Sequence, residues 1–499
     1  MKKILASIVL FLCATSLALA QNVSSSVRAN IVDITTASVV GAECLLTNQA
    51  TGAVATVKSD GEGSCVFNIV LAGTYDFMVK ATGFKTLESK GIVVTAGQVR
   101  TLGNLTLEVG ALTEKVEVSG AVSQIQLATG EKSGTIDQSQ LQNIAVKGRD
   151  LYAYMVTIPG IVDDGSQGRE TTTPDSQRGS YINGGRQNQK NFTLDGVTAM
   201  DTGSNETLQF EPNMDAIAEI KVLTSNYQAE YGRNSLGTVS VITKGGQKDF
   251  HATAYDYYRH ESLNANSWGN NKTNTAKSPY RYRITGYSIG GPVYIPKLFN
   301  KGRDKLFFFW DQEYTGMRKN YGTQLVHTPT QDERNGDFSH SVNSAGQLIT
   351  IYDPLTQQPF SGNIVPKTRF STLGSAMLNF FPLPNYTDPD PAQVYNRNYR
   401  SQYSGAYPKR EDLFRIDYNI TPSLQVYYRY IHDKDEQNTP YGMWVNGGIN
   451  YSLTPTVFGQ PGRGQVIHVT KSFSSTLVNE FIFGKSHNNL YFYPLDPSV

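Results

Sequence analysis

Charge is scarce in this 499-residue sequence. Asp, Glu, Lys and Arg together make up 17%, against roughly a quarter of an ordinary soluble chain. The formal net charge is +1, so the basic excess that nucleic-acid binding requires is missing and no nucleic-acid partner is expected. Only three cysteines occur, Cys13, Cys44 and Cys65, and none has the paired spacing of a zinc site. The seven histidines are scattered, with no HExxH or HxxE pattern, and there is no GxSxG elbow or dinucleotide fingerprint. Gly130-Glu131-Lys132-Ser133 lacks the upstream glycine of a phosphate loop. Asp163-Asp164 and Asp388-Pro389-Asp390 read as solvated turns rather than calcium ligands. The expectation is therefore no metal, no cofactor and no catalysis. Past the N-terminus, no run approaches the ~20 apolar residues of a spanning helix.

Tyrosine is abundant, with 29 copies. Many tyrosines and few charges suit β-rich chains at a membrane interface, where the ring is buried and the hydroxyl stays wet. A secreted polysaccharide-binding β protein would share that composition. Lys2 and Lys3 precede an apolar run over 4–12, and Ala18-Leu19-Ala20 has the small-x-small form of a cleavage site. Residues 1–20 are read as a secretory signal peptide, which takes Cys13 with it. If the chain enters a membrane it does so as strands, because only helices and closed barrels satisfy the backbone in lipid.

Residues 21–108 alternate short strands, near 27–33, 42–47, 53–58, 65–69, 74–79, 91–95 and 100–107, with glycine turns. Such spacing predicts an antiparallel sandwich. Cys44 and Cys65 are then an even pair in one exported domain, which favours a disulfide over two separately buried thiols. A loop of this length contributes on the order of 3 kcal/mol. The run from Lys58-Ser59-Asp60-Gly61 through Ala72-Gly73-Thr74-Tyr75 to Ala81-Thr82-Gly83-Phe84-Lys85 resembles the carboxypeptidase regulatory-like domain. That resemblance implies a transthyretin-like, carbohydrate-binding-like sandwich without catalytic residues.

In the stretch 180–246, Asn183-Gly184-Gly185-Arg186 and Leu194-Asp195-Gly196-Val197 are turn-formers after short strands. Asn213 or Asp215 can cap one helical turn, and 220–224 and 237–244 read as strands. The two turns, Glu219-Ile220-Lys221-Val222, Ala229-Glu230-Tyr231-Gly232 and the closing Gly237 to Lys244 run resemble, in order and spacing, the plug domain of TonB-dependent outer-membrane transporters. Leu141-Gln142-Asn143-Ile144, Gly148-Arg149-Asp150-Leu151 and Ile158-Pro159-Gly160-Ile161 resemble the plug's opening, and the polar stretch from Asp163 to Arg178 reads as a plug loop. Just upstream, Glu114-Lys115-Val116-Glu117-Val118-Ser119 alternates valine with polar residues, as a strand added to a partner's sheet edge does. Its position is similar to that of the TonB box, which implies a TonB-type energy-coupling protein in the periplasm as partner.

Beyond residue 250, aromatic strands are separated by polar loops, with candidates at 251–259, 282–288, 305–313, 413–420, 424–431, 466–471 and 477–483. Phe414, Ile416, Tyr418 and Ile420 alternate with Arg415, Asp417 and Asn419, the apolar-out, polar-in pattern of a transmembrane β-barrel. Thr421-Pro422-Ser423 makes a short turn, whereas 322–409 is long enough for an extracellular loop. Within that loop, Gly362-Asn363-Ile364-Val365-Pro366, Arg369 and Phe381-Pro382-Leu383-Pro384-Asn385 resemble the Oar-like TonB-dependent proteins. Such barrels close with about 22 strands, so the chain is expected to be the first part of a longer protein.

The fold class expected is mainly β: signal peptide 1–20, sandwich 21–108, linker with the coupling segment 109–134, small mixed α/β plug 135–246, and the first part of an antiparallel barrel at 247–499. The function expected is that of an outer-membrane transporter or receptor in outer-membrane lipid, taking an unidentified extracellular ligand, with sandwich and coupling segment in the periplasm. The rival reading is a surface adhesion protein whose sandwich recognises glycan and whose barrel is an anchor.

Overall fold

The computed structural model describes residues 24–111, 114–119, 129–163, 180–441, 453, 455–474 and 477–496. The signal segment with Cys13, the polar stretch 164–178 and the terminal Pro497-Ser498-Val499 lie outside the described residues. Alternation builds the first unit. β1 (Ser25–Asp33), β2 (Glu43–Asn48), β3 (Val54–Lys58), β4 (Ser64–Val70), β5 (Gly73–Lys80), β6 (Thr86–Val94) and β7 (Val99–Leu107) are laid out in two sheets. One has the order β4-β1-β7 and the other contains β3-β2-β5-β6. Between them Phe67 and Phe77 meet edge to face at 6.0 Å, surrounded by Ile31, Val79 and Leu107. Each such buried side chain contributes roughly 1.5–3 kcal/mol. Cys44 on β2 and Cys65 on β4 are joined by a disulfide that ties one sheet to the other.

Three departures from the sequence expectation matter here, the first being that β1 and β7 pair in parallel within a sandwich expected to be antiparallel. β6 starts at Thr86 rather than near 91, because Gly91, at φ +71°, sits in a bulge inside the strand. A strand glycine reads as a break when only sequence is in hand. And β8 (Lys115–Ser119), expected in a linker, adds in parallel to β6 as the outermost strand of the five-stranded sheet.

The second unit opens with β9 (Lys132–Asp137), which also falls partly within the expected linker. Asp137 then caps α1 (Gln138–Asn143) in a reciprocal box with Gln140, and Asp150 caps α2 (Leu151–Met155). β10 (Ile161–Asp163) and β11 (Ser180–Ile182) pair with one another. β12 (Lys190–Leu194), β13 (Val197–Thr198), β14 (Ile217–Ser225) and β15 (Gly237–Thr243) complete a sheet of order β13-β12-β15-β14-β9. β12 and β15 run parallel and the other neighbours antiparallel. Both faces are covered, so β12 is buried along its whole length.

The third unit is an antiparallel wall. It consists of β16 (His251–His260), β17 (Arg281–Pro292), β18 (Leu306–Asn320), the loop pair β19 (Gln324–Val326) and β20 (Tyr399–Ser401), β21 (Ser404–Thr421), β22 (Leu424–Thr439), β23 (Thr456–Gly459), β24 (Gly462–Ser472), β25 (Val478–Asn488) and β26 (Tyr491–Pro494). Strands arise at all seven expected sites. One outward rung reads Phe308, Ile416, Tyr428, Ile467, Phe483 across five strands, and the next Trp310, Phe414, Tyr430. Between these positions, Arg415, Asp417 and Arg429 turn inward. Apolar-out and polar-in is the solution lipid imposes on a strand wall. Short turns lie at one end, as at Pro422, and the long segment 321–403 at the other. Among the described residues the wall is open between β16 and β25, and no helix is long and apolar enough to cross a membrane.

Candidate functional site

The Leu194-Asp195-Gly196-Val197 turn sits at the joint between the small α/β unit and the wall. Asp195 and Gly196 have φ of +51° and +80°, which the β12–β13 hairpin requires. The turn delivers the Asp195 carboxylate, fully buried, to the inner face of the wall. There Arg429 Nε donates to its Oδ2 at 2.9 Å, and Arg415 Nη1 lies 3.8 Å from Oδ1. The Thr243 N–H donates to Oδ1 at 2.9 Å, and its hydroxyl donates to Oδ2 at 3.0 Å. Arg415 in turn donates to the Thr243 carbonyl at 3.0 Å and to Asp417 at 2.8 Å, while Arg429 donates to the Leu194 carbonyl at 3.2 Å. A buried carboxylate is stable only when paired and hydrogen-bonded in this way.

A second joint lies higher on the wall. Asn213, which caps the turn Met214–Ala216 through its bond from Ala216 N–H at 2.9 Å, also donates its own N–H to Glu411 and its amide to Asp311. Arg149 pairs with Asp215 and lies over Tyr257 and Tyr255, 4.3 and 5.0 Å from the ring centroids. Lys409 lies 3.6 Å from Glu411 and 3.8 Å from Asp433. A cavity of about 50 Å³ separates these groups, and a cleft of about 710 Å³ lies where sandwich, α/β unit and wall meet.

Close approach completes the seat. A Cβ on Gly462 would lie 1.8 Å from the Gln209 carbonyl oxygen, and one on Gly464 would lie 2.4 Å from the Phe210 ring. Only glycine lets the 208–210 segment lie against β24. On the opposite side, the sandwich reaches the α/β unit where Ala96 N–H donates to Glu219 at 2.6 Å. Lys221 there bonds Glu131 at 2.9 Å and the Gly97 carbonyl at 3.4 Å. Burial pushes the Glu219 carboxyl up to about 7, against the Ala96 hydrogen bond and the Lys221 charge, which act to lower it.

The other residues singled out in sequence are spread more widely. Asn183 and Gly184, at φ +50° and +72°, form the β11 turn, and the Asn183 amide donates to the Thr224 carbonyl at 2.9 Å. Gly185 lies against Leu236, and the Arg186 N–H donates to Gln189 at 3.1 Å. Glu230 and Gly232 are exposed around the buried Tyr231, whose ring meets Tyr227 at 6.3 Å. Glu114 to Ser119 lie on the sandwich edge, away from the Asp195 joint; the side chains of Val118 and Ser119 are outside the described residues. Sequence reasoning missed Arg415, Arg429, Asn213, Glu411 and Arg149 as contact residues. Four inward charges over nine residues of β21, Lys409, Glu411, Arg415 and Asp417, were the available signal. Among the described residues no group of three or more His, Cys, Asp or Glu could hold a metal.

An α/β plug seated by buried polar contacts against a lipid-facing strand wall defines a plugged outer-membrane barrel. The outer membrane beta barrel domain family matches residues 242–498, the TonB-dependent receptor plug domain 126–239, and the carboxypeptidase regulatory-like domain 26–108. The chain belongs to the outer membrane beta barrel domain family and carries the plug domain of TonB-dependent receptors. It is similar to the TonB-dependent transporter Oar of Myxococcus xanthus, 22% identical over 267 residues, which is 51% of this chain and 23% of that protein. The chain thus spans about a quarter of that relative's length. Among solved structures, the outer-membrane transporter YddB of Escherichia coli aligns with a TM-score of 0.45 and 10% identity over 73% of this chain and 40% of its own. A mutant of the Pseudomonas aeruginosa ferric enterobactin receptor bound to enterobactin gives 0.41 and 11%, over 71% and 41%. The family consists of receptors and transporters of the outer membrane.

Proposed function

We propose that this protein is an energy-coupled importer: it binds a ligand at the cell surface on plug and barrel loops, and pulling on the segment around Val116 shifts the plug to let the ligand through. The observation that carries the proposal is the Asp195 joint. One plug carboxylate is held by two wall arginines and by the plug's own Thr243, beside an apolar contact in which Phe309, Leu413 and Ile431 of the wall join the plug core. The chemistry present is hydrogen bonding and charge pairing, so the role proposed is transport without catalysis. The partners proposed are a TonB-type protein in the periplasm and an extracellular ligand.

The test is growth of a deletion strain with single limiting nutrients: siderophore-bound iron, cobalamin, oligosaccharide or peptide. Import predicts a defect on one of them, restored by the full-length gene, and short-term uptake of that labelled nutrient that stops when a proton-motive-force uncoupler is added. Normal growth on all, with specific glycan binding at the surface, would support the adhesion reading instead.

A further inference from the structure

The structure assigns the edge of β6 a role that no family match gives it. We propose that this edge is a strand-binding site for an extended peptide of acid–base–apolar–acid pattern, occupied here by the chain's own Glu114–Ser119.

The docking is specified along its whole length. Thr86 N–H donates to the Glu114 carbonyl at 2.9 Å and starts a parallel ladder that runs from Thr86 opposite Lys115 to Lys90 opposite Ser119. Every charge on the segment has a counterpart on the sandwich: Glu114 lies 3.2 Å from Lys85, Lys115 3.7 Å from Glu88, and Glu117 3.3 Å from Lys90. Glu114 and then Glu108 raise the Lys85 ammonium pKa, and Glu117 does the same for Lys90. Half-buried Val116 falls opposite buried Leu87, and a slip of one residue would exchange the two faces of the strand. Exposed ion pairs add little stability singly. Three in register select a sequence, as complementary charges do at protein interfaces. Without its occupant, β6 would be a bare sheet edge, which folded proteins avoid. That the occupant is the coupling segment rests on the function proposed above. On that reading, one short strand serves both the sandwich and the periplasmic partner, and must be peeled from β6 before tension reaches the plug.

The test uses the full chain in outer-membrane vesicles with residues 114–119 replaced by a glycine–serine repeat, and a biotinylated synthetic peptide of residues 112–120. The peptide is expected to bind this emptied protein and not the unaltered one. Lys85→Glu with Lys90→Glu should weaken binding about tenfold by turning two attractions into repulsions. A peptide carrying Glu114→Lys and Glu117→Lys should restore it. Equal binding to the emptied and unaltered proteins, or no effect of charge reversal, overturns the site. Should the replacement misfold, amide exchange on the otherwise unaltered chain decides. Exchange at Val116 must accelerate in Lys85→Glu/Lys90→Glu, and an unchanged rate overturns the site equally. Neither readout involves transport, so a failed coupling role and a failed strand site give different results.

Discussion

Arg415 and Arg429 lie directly opposite one another on neighbouring strands of the wall, and the Asp195 carboxylate of the plug contacts both. Like charges in that register repel. Asp417 shares one of them, so Asp195 is the group that makes the pair tolerable, and it belongs to the other domain.

Asp195→Asn should therefore unseat the plug. It leaves a buried guanidinium underpaired, a defect that costs on the order of 3–5 kcal/mol. The expected outcome is rapid proteolysis of the plug in vesicles that leave the unaltered protein intact. Arg429→Met in the same chain removes the repulsion and should recover part of the protection. A plug equally resistant in Asp195→Asn would show that the joint contributes nothing.

Gly464→Val tests the steric half of the seat. Its side chain would enter the Phe210 ring and approach Arg429 Nη1, which lies only 3.0 Å from where a Cβ at this position would sit. Overpacking of a fitted contact costs roughly 1–3 kcal/mol, so the barrel should still assemble with a loosened plug. Phe210→Ala makes room, and the double variant is expected to be less leaky to small solutes than Gly464→Val alone.

The junction between sandwich and plug should respond to pH through Glu219. Its carboxyl is raised to about 7 by burial, so the docked state binds the proton more tightly than a solvated one. The contribution is fully present below the ordinary carboxylate range and is lost as pH rises through 7, on the order of 3 kcal/mol in all. The protection factor of the amides around Ala96, taken relative to the base-catalysed intrinsic exchange rate, should fall between pH 5.5 and pH 8. Glu219→Gln keeps an acceptor for the Ala96 N–H and should flatten that fall; a drop in protection that survives the substitution excludes Glu219 as its source.

Strands and turns of this protein are written locally, and so they were readable. Phe414 to Ile420 alternates because one side meets lipid, and Asp195-Gly196 announces its hairpin by needing positive φ at both residues. What was not readable depends on pairing across long separations. Arg415 and Arg429 look like lumen polarity until Asp195, more than two hundred residues earlier, is placed against them. Glu219 looks like a surface acid of an alternating strand until Ala96 of the sandwich covers it. Lys115 to Ser119 was legible as an edge-adding strand, but its acceptor was assigned to a partner, because alternation states that a strand will pair and not with which edge.

The parity of the β8 ladder gives the final prediction. Since Thr86 N–H bonds the Glu114 carbonyl, a parallel ladder turns the backbone groups of residues 114, 116 and 118 toward β6 and those of 115, 117 and 119 toward the open edge. Val116→Ala keeps every donor and should change capture of the soluble periplasmic domain of a TonB-type protein by no more than about twofold, because strand addition rests on backbone groups. Val116→Pro removes the donor facing β6 and should free the segment from the sandwich, seen as fast exchange at its neighbours. Glu117→Pro removes an outward donor instead. It should leave the segment docked while capture of the coupling protein collapses, with ligand binding at the cell surface untouched in all three. Unimpaired capture by Glu117→Pro would mean that the coupling protein does not grip this strand by its open edge.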